Sequence, residues 1–427
     1  MSDWFQLDKE YMMSTYCRTE VAMERGEGCK LYDVDGKEYL DLFSGVGVNV
    51  LGYNHPKIVQ MTMEQVAKSL HLPFHFLNPV AIEYAKKLVD CTLKSGKVFF
   101  TNSGTEATET TLKLIDKYRF IANEERDGVV VLKDSFHGRT LGALHFTRQE
   151  KVYQNFPKTS IPVYEVEREN IDQLEETIIK ENPIAIMLEP VLGSGGIYPL
   201  SSEYLHGVQN LCEKYNVLLV VDEVQSGMGR TGKLFAYQNF NITPDIIQIG
   251  KGAGGGIPLG GIIVGERLCD VFSPGDHGTT FAHSSMGTAL GLTVLNTLLD
   301  DGLMQEAYET SLYLNDKLQD IQKENAYYIQ EVRHAGMMFG ISVNDTNENV
   351  KKLQIELMNK GMLVDVTQGN IIRLLPPYII TKEEIDAFTY EFISCVHNIA
   401  ATTMYNLQKN IHEKNLPIDT LLIEASG

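Results

Sequence analysis

Residues Val217 to Gly256 read VLLVVDEVQSGMGRTGKLFAYQNFNITPDIIQIGKGAGGG, and this stretch decides the reading of the whole chain. It opens on a continuous apolar run, Val217 to Val221, the pattern of a strand buried on both faces of a parallel sheet. Asp222 follows at the carboxyl end of that strand, the end at which open α/β sheets form their ligand crevice. A second apolar run, Asp245 to Gly250, delivers Lys251 at its own carboxyl end. The glycines around it (Gly250, Gly252, Gly254, Gly255 and Gly256) predict close approach of the backbone to a bulky group and a reachable amine.

An acid and an amine at neighbouring strand ends suit one chemistry well. A lysine amine forms a Schiff base with an aldehyde cofactor, of which pyridoxal 5′-phosphate is the common one. An aspartate beside the pyridine nitrogen keeps that ring protonated as an electron sink. For either residue alone, a buried ion pair or a solvated lysine on a glycine loop is the commoner situation. Further partners have to decide.

They come in a fixed order. ERGEGCKLYDVDGKEYLDLFSG begins at Glu24, FFTNSGTEA at Phe99, SFHGRTLGAL at Ser135, LEP at Leu188, HGTTF at His277 and RLLPP at Arg373. With VVDEVQSGMGRTGKLFA and DIIQIGKGAGGGIPLGG, these motifs resemble the class III aminotransferases, a fold-type I pyridoxal-phosphate family, and above all its acetylornithine-type members. The likeness covers roughly residues 15 to 395, and several motifs in one order are far more specific than any single one.

The resemblance implies an α/β fold of the fold-type I transferase kind. A large cofactor-binding domain would span about 55–300, with a mostly parallel central sheet and helices on both faces. A smaller α+β domain would join residues 1–54 to residues 301–400, and residues 401–427 run past the family's usual end with no assigned role. Length alone also suggests two or three structural units. Locally, the Asp35–Gly36 pair predicts a turn between short strands, and Ser44 to Pro56 reads as a buried loop. Ile58 to Leu70 has helical spacing, and Glu331 to Val343 reads as one strand. Thr381-x-x-Glu384 is a capping box opening a helix to about Ala400.

Ser103, Gly104 and Thr105 sit where the strand Lys97 to Thr101 turns into an amphipathic helix. A helix amino terminus offers unpaired N–H groups and a positive dipole end to a phosphate, although an ordinary Ser/Thr cap is the commoner role. The resemblance assigns these three to the cofactor phosphate, with Thr280 reaching the phosphate of the neighbouring subunit in a homodimer with shared sites. It also implies that Phe136 or His137 covers one ring face, that Asp222 holds the pyridinium and that Gln225 lies near the ring hydroxyl. Lys251 would carry the cofactor and then move the proton. Arg139 and Arg373 would bind substrate carboxylates, as an arginine fork suits them, with glutamate and 2-oxoglutarate as one couple. Val46 would line the substrate entrance, and Glu189, ending the strand from Ile184, would face the substrate.

The chain departs from its relatives in two places. Many ornithine-type and acetylornithine-type members carry Glu in a G-E-G-G loop, and here Ser194 stands in its place. In those members the glutamate pairs with an arginine matching Arg373. Ser194 therefore predicts an Arg373 that stays available for a carboxylate in both half reactions. His283 and Ser284 likewise replace Gly/Asn-like positions near the partner's site. The implied activity is amino transfer between an amino-acid donor (first N-acetylornithine or a related ω-amine, a step of arginine biosynthesis) and a keto acid. Racemisation or epimerisation, and transamination of ornithine, 4-aminobutyrate or α-amino acids, would use the same lysine and ring.

Composition excludes other classes. The chain has 427 residues, 43% of them hydrophobic, and a net charge of −19, which argues against nucleic acid and against an anionic membrane surface. Six scattered cysteines without a C-x-x-C pair, no apolar run of transmembrane length and no signal-peptide core point to the cytoplasm. His71 and His75 have the spacing of a helical metal pair, but Pro73 interrupts any helix between them and no third ligand stands near, so no metal is expected. GKGAGGG lacks the G-x-x-x-x-G-K-[ST] pattern and leads into a strand, against a nucleotide-binding phosphate loop.

Overall fold

The computed structural model describes residues 3–414, those from 400 onward as backbone alone. Three short strands come first: β1 (Met23–Glu27), β2 (Lys30–Asp33) and β3 (Glu38–Asp41). The Asp35–Gly36 turn joins β2 to β3, closed by Asp33 Oδ1, which accepts from the N–H groups of Asp35 and Lys37. Next in chain order come β4 (Lys97–Thr101), β5 (Val129–Leu132), β6 (Val163–Val166) and β7 (Ala185–Leu188). A small hairpin, β8 (Val191–Leu192) and β9 (Tyr198–Pro199), precedes β10 (Leu218–Asp222), β11 (Ile246–Ile249) and β12 (Gly260–Val264).

Seven of these strands form one sheet in the order β4-β12-β11-β10-β7-β5-β6. Its pairs are parallel except for β12, which runs against both of its neighbours. The strands are apolar at nearly every position, so alternate side chains feed two different cores. Val130, Leu132, Leu188, Leu219 and Val221 pack on one face with the helices Ile171–Glu181 and Ser202–Tyr215. Val129, Val131, Met187, Leu218 and Val220 pack on the other with the helix Gly104–Ile121. Each such side chain, fully buried, stabilises by about 1.5–3 kcal/mol, which is why both faces must be covered.

The remaining strands are β13 (Ile329–Ala335), β14 (Met338–Val343), β15 (Met362–Leu363), β16 (Asp365–Thr367) and β17 (Ile371–Leu374). Four make an antiparallel sheet, β13-β14-β17-β16, while β15 pairs in parallel with β3 and so ties the amino-terminal strands to the carboxyl-terminal part. The segment Glu331 to Val343, expected as one strand, is a hairpin: Ala335 pairs with Met338 across Gly336, whose φ of 55° suits glycine.

Two other expectations need correction. Ser44–Gly47 is a single helical turn rather than a loop, with φ values of 46°, 61°, 67° and 78° along its four residues. Glycine at two of the four positions makes this left-handed turn accessible, and Val46 is its strained, exposed member. The last helix spans Lys382–Lys414, beyond the expected end near Ala400, because the sequence offers no Gly or Pro to stop it there. Thr381 and Glu384 do exchange the two bonds of a capping box. Residues 415–427 of the extension lie outside the described residues.

Candidate active site

Five segments leave the same edge of the large sheet and converge on one cavity of about 490 Å³. Asp222 ends β10, and Lys251 follows β11. Ser103, Gly104 and Thr105 follow β4, while Phe136, His137 and Arg139 follow β5, and Glu189 and Ser194 follow β7. All of them, with Gln225, line that cavity. Val46, Thr280 and Arg373 lie outside the lining. Val48 takes the lining place near Val46. Thr280 is exposed, beside Thr279, whose Oγ1 accepts from Asn102 Nδ2 at 3.0 Å.

Lys251 opens a short turn with φ of 47°, a setting that a non-glycine residue holds only where its surroundings enforce it. Most of the glycines beside it serve packing within the protein. A Cβ on Gly252 would meet Val50 at 2.9 Å, one on Gly254 would meet Leu259 at 2.9 Å, and one on Gly255 would meet Leu290 at 2.9 Å. Of the five glycines expected to approach a ligand, Gly256 alone lines the cavity. Burial pushes the Lys251 ammonium down to about 8, against the opposing pull of Asp222 and Glu189. The neutral, nucleophilic amine therefore grows as pH rises towards 8. Capture of pyridoxal 5′-phosphate by the apoprotein should accelerate roughly tenfold per unit below about pH 7 and level off above about 8. A stopped-flow rate that stays flat across this range contradicts the assignment.

Asp222 is buried and accepts from His137 Nδ1 at 2.7 Å and from the Val224 N–H at 3.0 Å. His137 is thus committed to Asp222, and its Nε2 is buried without a hydrogen-bond partner. Phe136 is the aromatic left to cover a ring, with the Arg139 guanidinium 5.5 Å from its centroid. Glu189 accepts from the Phe136 N–H at 2.8 Å and the Gly193 N–H at 3.2 Å, so it braces two walls of the cavity. Burial holds its carboxyl well above the usual range.

Ser103 caps the helix Gly104–Ile121 by accepting from the Glu106 N–H at 3.3 Å. Thr105 Oγ1 accepts from the N–H groups of Arg139 and Thr140 at 3.1 and 3.3 Å. Those hydroxyls have work within the fold, while the first-turn N–H groups of Gly104 and Thr105 have no intrahelical acceptor. A side chain at 104 is excluded, since a Cβ there would meet Val224 at 2.7 Å. Sequence reasoning missed Val224 and Asn102, which both line the cavity. The departure at 284 has a local role, since Ser284 Oγ caps the helix Ser285–Leu299; at 283 the main-chain carbonyl accepts from Asn78, and nothing in the structure explains the histidine side chain.

Arg373 does not stand free, contrary to the expectation drawn from Ser194. On β17 it lies directly across from Asp365 on β16. Its Nε and Nη2 both donate to Asp365 Oδ2, at 3.0 and 2.7 Å, and its Nη1 donates to the Gly193 carbonyl at 3.2 Å. An acidic partner has come from the neighbouring strand. The sequence did carry a signal: Gln368-Gly369-Asn370 is a three-residue hairpin loop, and counting outward from it sets Asp365 opposite Arg373.

The lining fits one group. A neutralisable amine suits an aldehyde, a buried carboxylate suits a protonated ring nitrogen, and the partnerless Gln225 Oε1 suits a ring hydroxyl. A helix amino terminus suits a phosphate. Pyridoxal 5′-phosphate bears all four. A mostly parallel sheet with that set at its strand ends defines a pyridoxal-phosphate enzyme of fold type I.

Residues 11–396 match the family model for class III aminotransferases, and the chain belongs to that family. It is 40% identical over 382 residues to the acetylornithine aminotransferase of Clostridium acetobutylicum, covering 89% of this chain and 97% of the relative. The ornithine aminotransferase of Toxoplasma gondii superposes with a TM-score of 0.88 at 27% identity over 93% of this chain and 95% of that one, and its structure holds pyridoxal phosphate at partial occupancy in the active site. The acetylornithine aminotransferase of Elizabethkingia anophelis superposes with a TM-score of 0.81 at 30% identity, over 92% and 98% of the two chains. The chain is accordingly a pyridoxal-phosphate-dependent transaminase.

Proposed function

We propose that this transaminase moves the amino group of N-acetylornithine, or of a closely related ω-amine, to 2-oxoglutarate. The observation that carries the donor is the 40% identity to an acetylornithine aminotransferase over 97% of that relative's length. The carboxylates of the acceptor would meet Arg139 at the cavity rim and Arg373, which lies beyond the lining but close enough for its charge to act on Lys251.

When bound, pyridoxal 5′-phosphate would supply an aldehyde that condenses with amines and a ring that withdraws electrons from the substrate's amine-bearing carbon. The residues of the chain do the rest. Lys251 Nζ would hold the cofactor at rest, then take the proton from the amine-bearing carbon of the substrate and deliver it to the carbon that had been the aldehyde; an amine whose pKa burial lowers to about 8 is fit to act as base and acid near neutrality. Asp222 would keep the ring nitrogen protonated, and His137 orients Asp222 through its Nδ1–H. Gln225 Oε1, which has no partner within the protein, would accept from the ring hydroxyl, Phe136 would cover a ring face, and Ser103, Gly104 and Thr105 would receive the phosphate. Glu189 and Ser194 shape the substrate side.

The catalytic unit in this proposal is a cytoplasmic homodimer in which Thr280 of each subunit completes the other's phosphate site, and Val46 lines the entrance. Exposed Leu70, Leu72, Phe74, Phe76 and Leu77, with Phe281 beside Thr280, give the apolar area such an interface needs. No described helix is long and apolar enough to cross a membrane. The six cysteines are unpaired, as in a reducing compartment. We also assign residues 55–300 to a cofactor domain and residues 1–54 with 301–400 to a smaller one.

The test is a half reaction. Holoenzyme is mixed with N-acetylornithine, ornithine, 4-aminobutyrate or α-amino acids, each without a keto acid, and conversion to the pyridoxamine form is followed by absorbance. N-acetylornithine should react fastest. Faster conversion by an α-amino acid would refute the donor assignment.

A further inference from the structure

We infer that Asp365 is a fixed counter-ion of Arg373 that tempers the site's grip on dicarboxylates and so sets the balance between its two substrates. The inference rests on the proposed role of Arg373 as a carboxylate ligand.

The pair is built into the sheet. Asp365 and Arg373 are register partners in the β16–β17 ladder, and their side chains retain only 26% and 9% of their exposure. The ladder fixes both backbones, so Asp365 is held beside the guanidinium more firmly than a residue on a free loop would be. The neighbouring wall is fixed as well. Thr367 Oγ1 and Gln368 Nε2 donate to the Ser194 carbonyl at 2.7 and 2.9 Å, and Arg333 donates to the carbonyls of Gly196 and Ile197 at 2.9 and 3.2 Å. The loop that carries Ser194 is thus clamped through its main chain from the smaller sheet.

Donor counting shows what Arg373 can still offer. A guanidinium has five N–H groups, and three are engaged, two by Asp365 and one by Gly193. One remains on each terminal nitrogen, enough for a carboxylate. That carboxylate binds beside the negative charge of Asp365 in a poorly hydrated place, where like charges repel more strongly than in water. A dicarboxylate is therefore held, but loosely enough to leave. N-acetylornithine carries one carboxylate where 2-oxoglutarate carries two, so the donor depends less on Arg373 and loses less to the neighbouring negative charge.

The experiment compares the wild-type holoenzyme with Asp365→Asn, Asp365→Glu and Arg373→Ala. Glutarate, a dicarboxylate with no keto or amino group to react, is titrated by calorimetry, and KM is measured for 2-oxoglutarate and for the amino donor. Asp365→Asn should bind glutarate about tenfold more tightly, with a parallel fall in KM for 2-oxoglutarate and a smaller change for the donor. Asp365→Glu keeps the charge and should stay within about threefold of wild type. Unchanged or weaker glutarate binding in a folded Asp365→Asn protein overturns the inference. Arg373→Ala tests the reading beneath it: glutarate binding should weaken, and if it does not, the assignment of Arg373 itself falls whatever Asp365 does.

Discussion

Lys251→Ala should lower turnover by on the order of 10⁴-fold or more and abolish the visible band of lysine-bound cofactor. The size follows from two losses at one atom. In the proposed function Nζ is both the point of covalent attachment and the group that moves the proton, and no other lysine among the described residues lines the cavity. The fold should survive, because the turn around residue 251 is held by the packing of Gly252, Gly254 and Gly255 on Val50, Leu259 and Leu290. Removing a strained left-handed residue's long side chain from a buried position costs the fold little. Circular dichroism with an absorbance spectrum separates the two effects: native ellipticity with no cofactor band is the expected pair of results.

Asp222→Asn should cost about 10²–10³ in kcat, with a smaller change in KM. The carboxylate is buried and is the group available to keep the ring nitrogen charged, so a neutral amide of the same shape removes the electron sink and little else. It also leaves His137 Nδ1 opposite a weaker acceptor, in a site where His137 Nε2 already has no partner. Stability should therefore fall modestly while activity falls steeply. Steady-state kinetics against a thermal melt checks this, and equal losses in the two would mean that Asp222 is chiefly a structural residue.

Most of the large sheet was legible because its inner strands are apolar runs ending in chemistry-bearing residues; the edge strand β6, VYEV, is too short and too polar to stand out. Asp222, Lys251, Ser103 and Glu189 all sit where such a run stops, and the fold brings those stops to one edge. The smaller sheet was less legible. Its strands are short, and the Gly336 turn inside Glu331 to Val343 looks like one more small residue in an apolar run until the register is known. Arg373 was visible as a residue, but its partner emerges only once Gln368-Gly369-Asn370 is read as a hairpin loop, since the ion pair is a property of the β16–β17 register and not of either segment alone. The glycines after Lys251 misled for a similar reason. A glycine run shows that backbone comes close to something, and here that something is the protein's own Val50, Leu259 and Leu290. Phe136 and His137 could not be told apart by type, and the contact of His137 with Asp222 is a tertiary feature that neither motif reveals alone.

The central claim is that the chain holds its cofactor covalently through Lys251 in the cavity lined by Asp222, Gln225 and the start of the helix Gly104–Ile121. The most direct test is to load the purified protein with pyridoxal 5′-phosphate, reduce it with borohydride, digest it and locate the fixed label by mass spectrometry. The account predicts a single labelled site, Lys251, at close to one label per chain. Label on another lysine, or none after the cofactor band has formed, would contradict it.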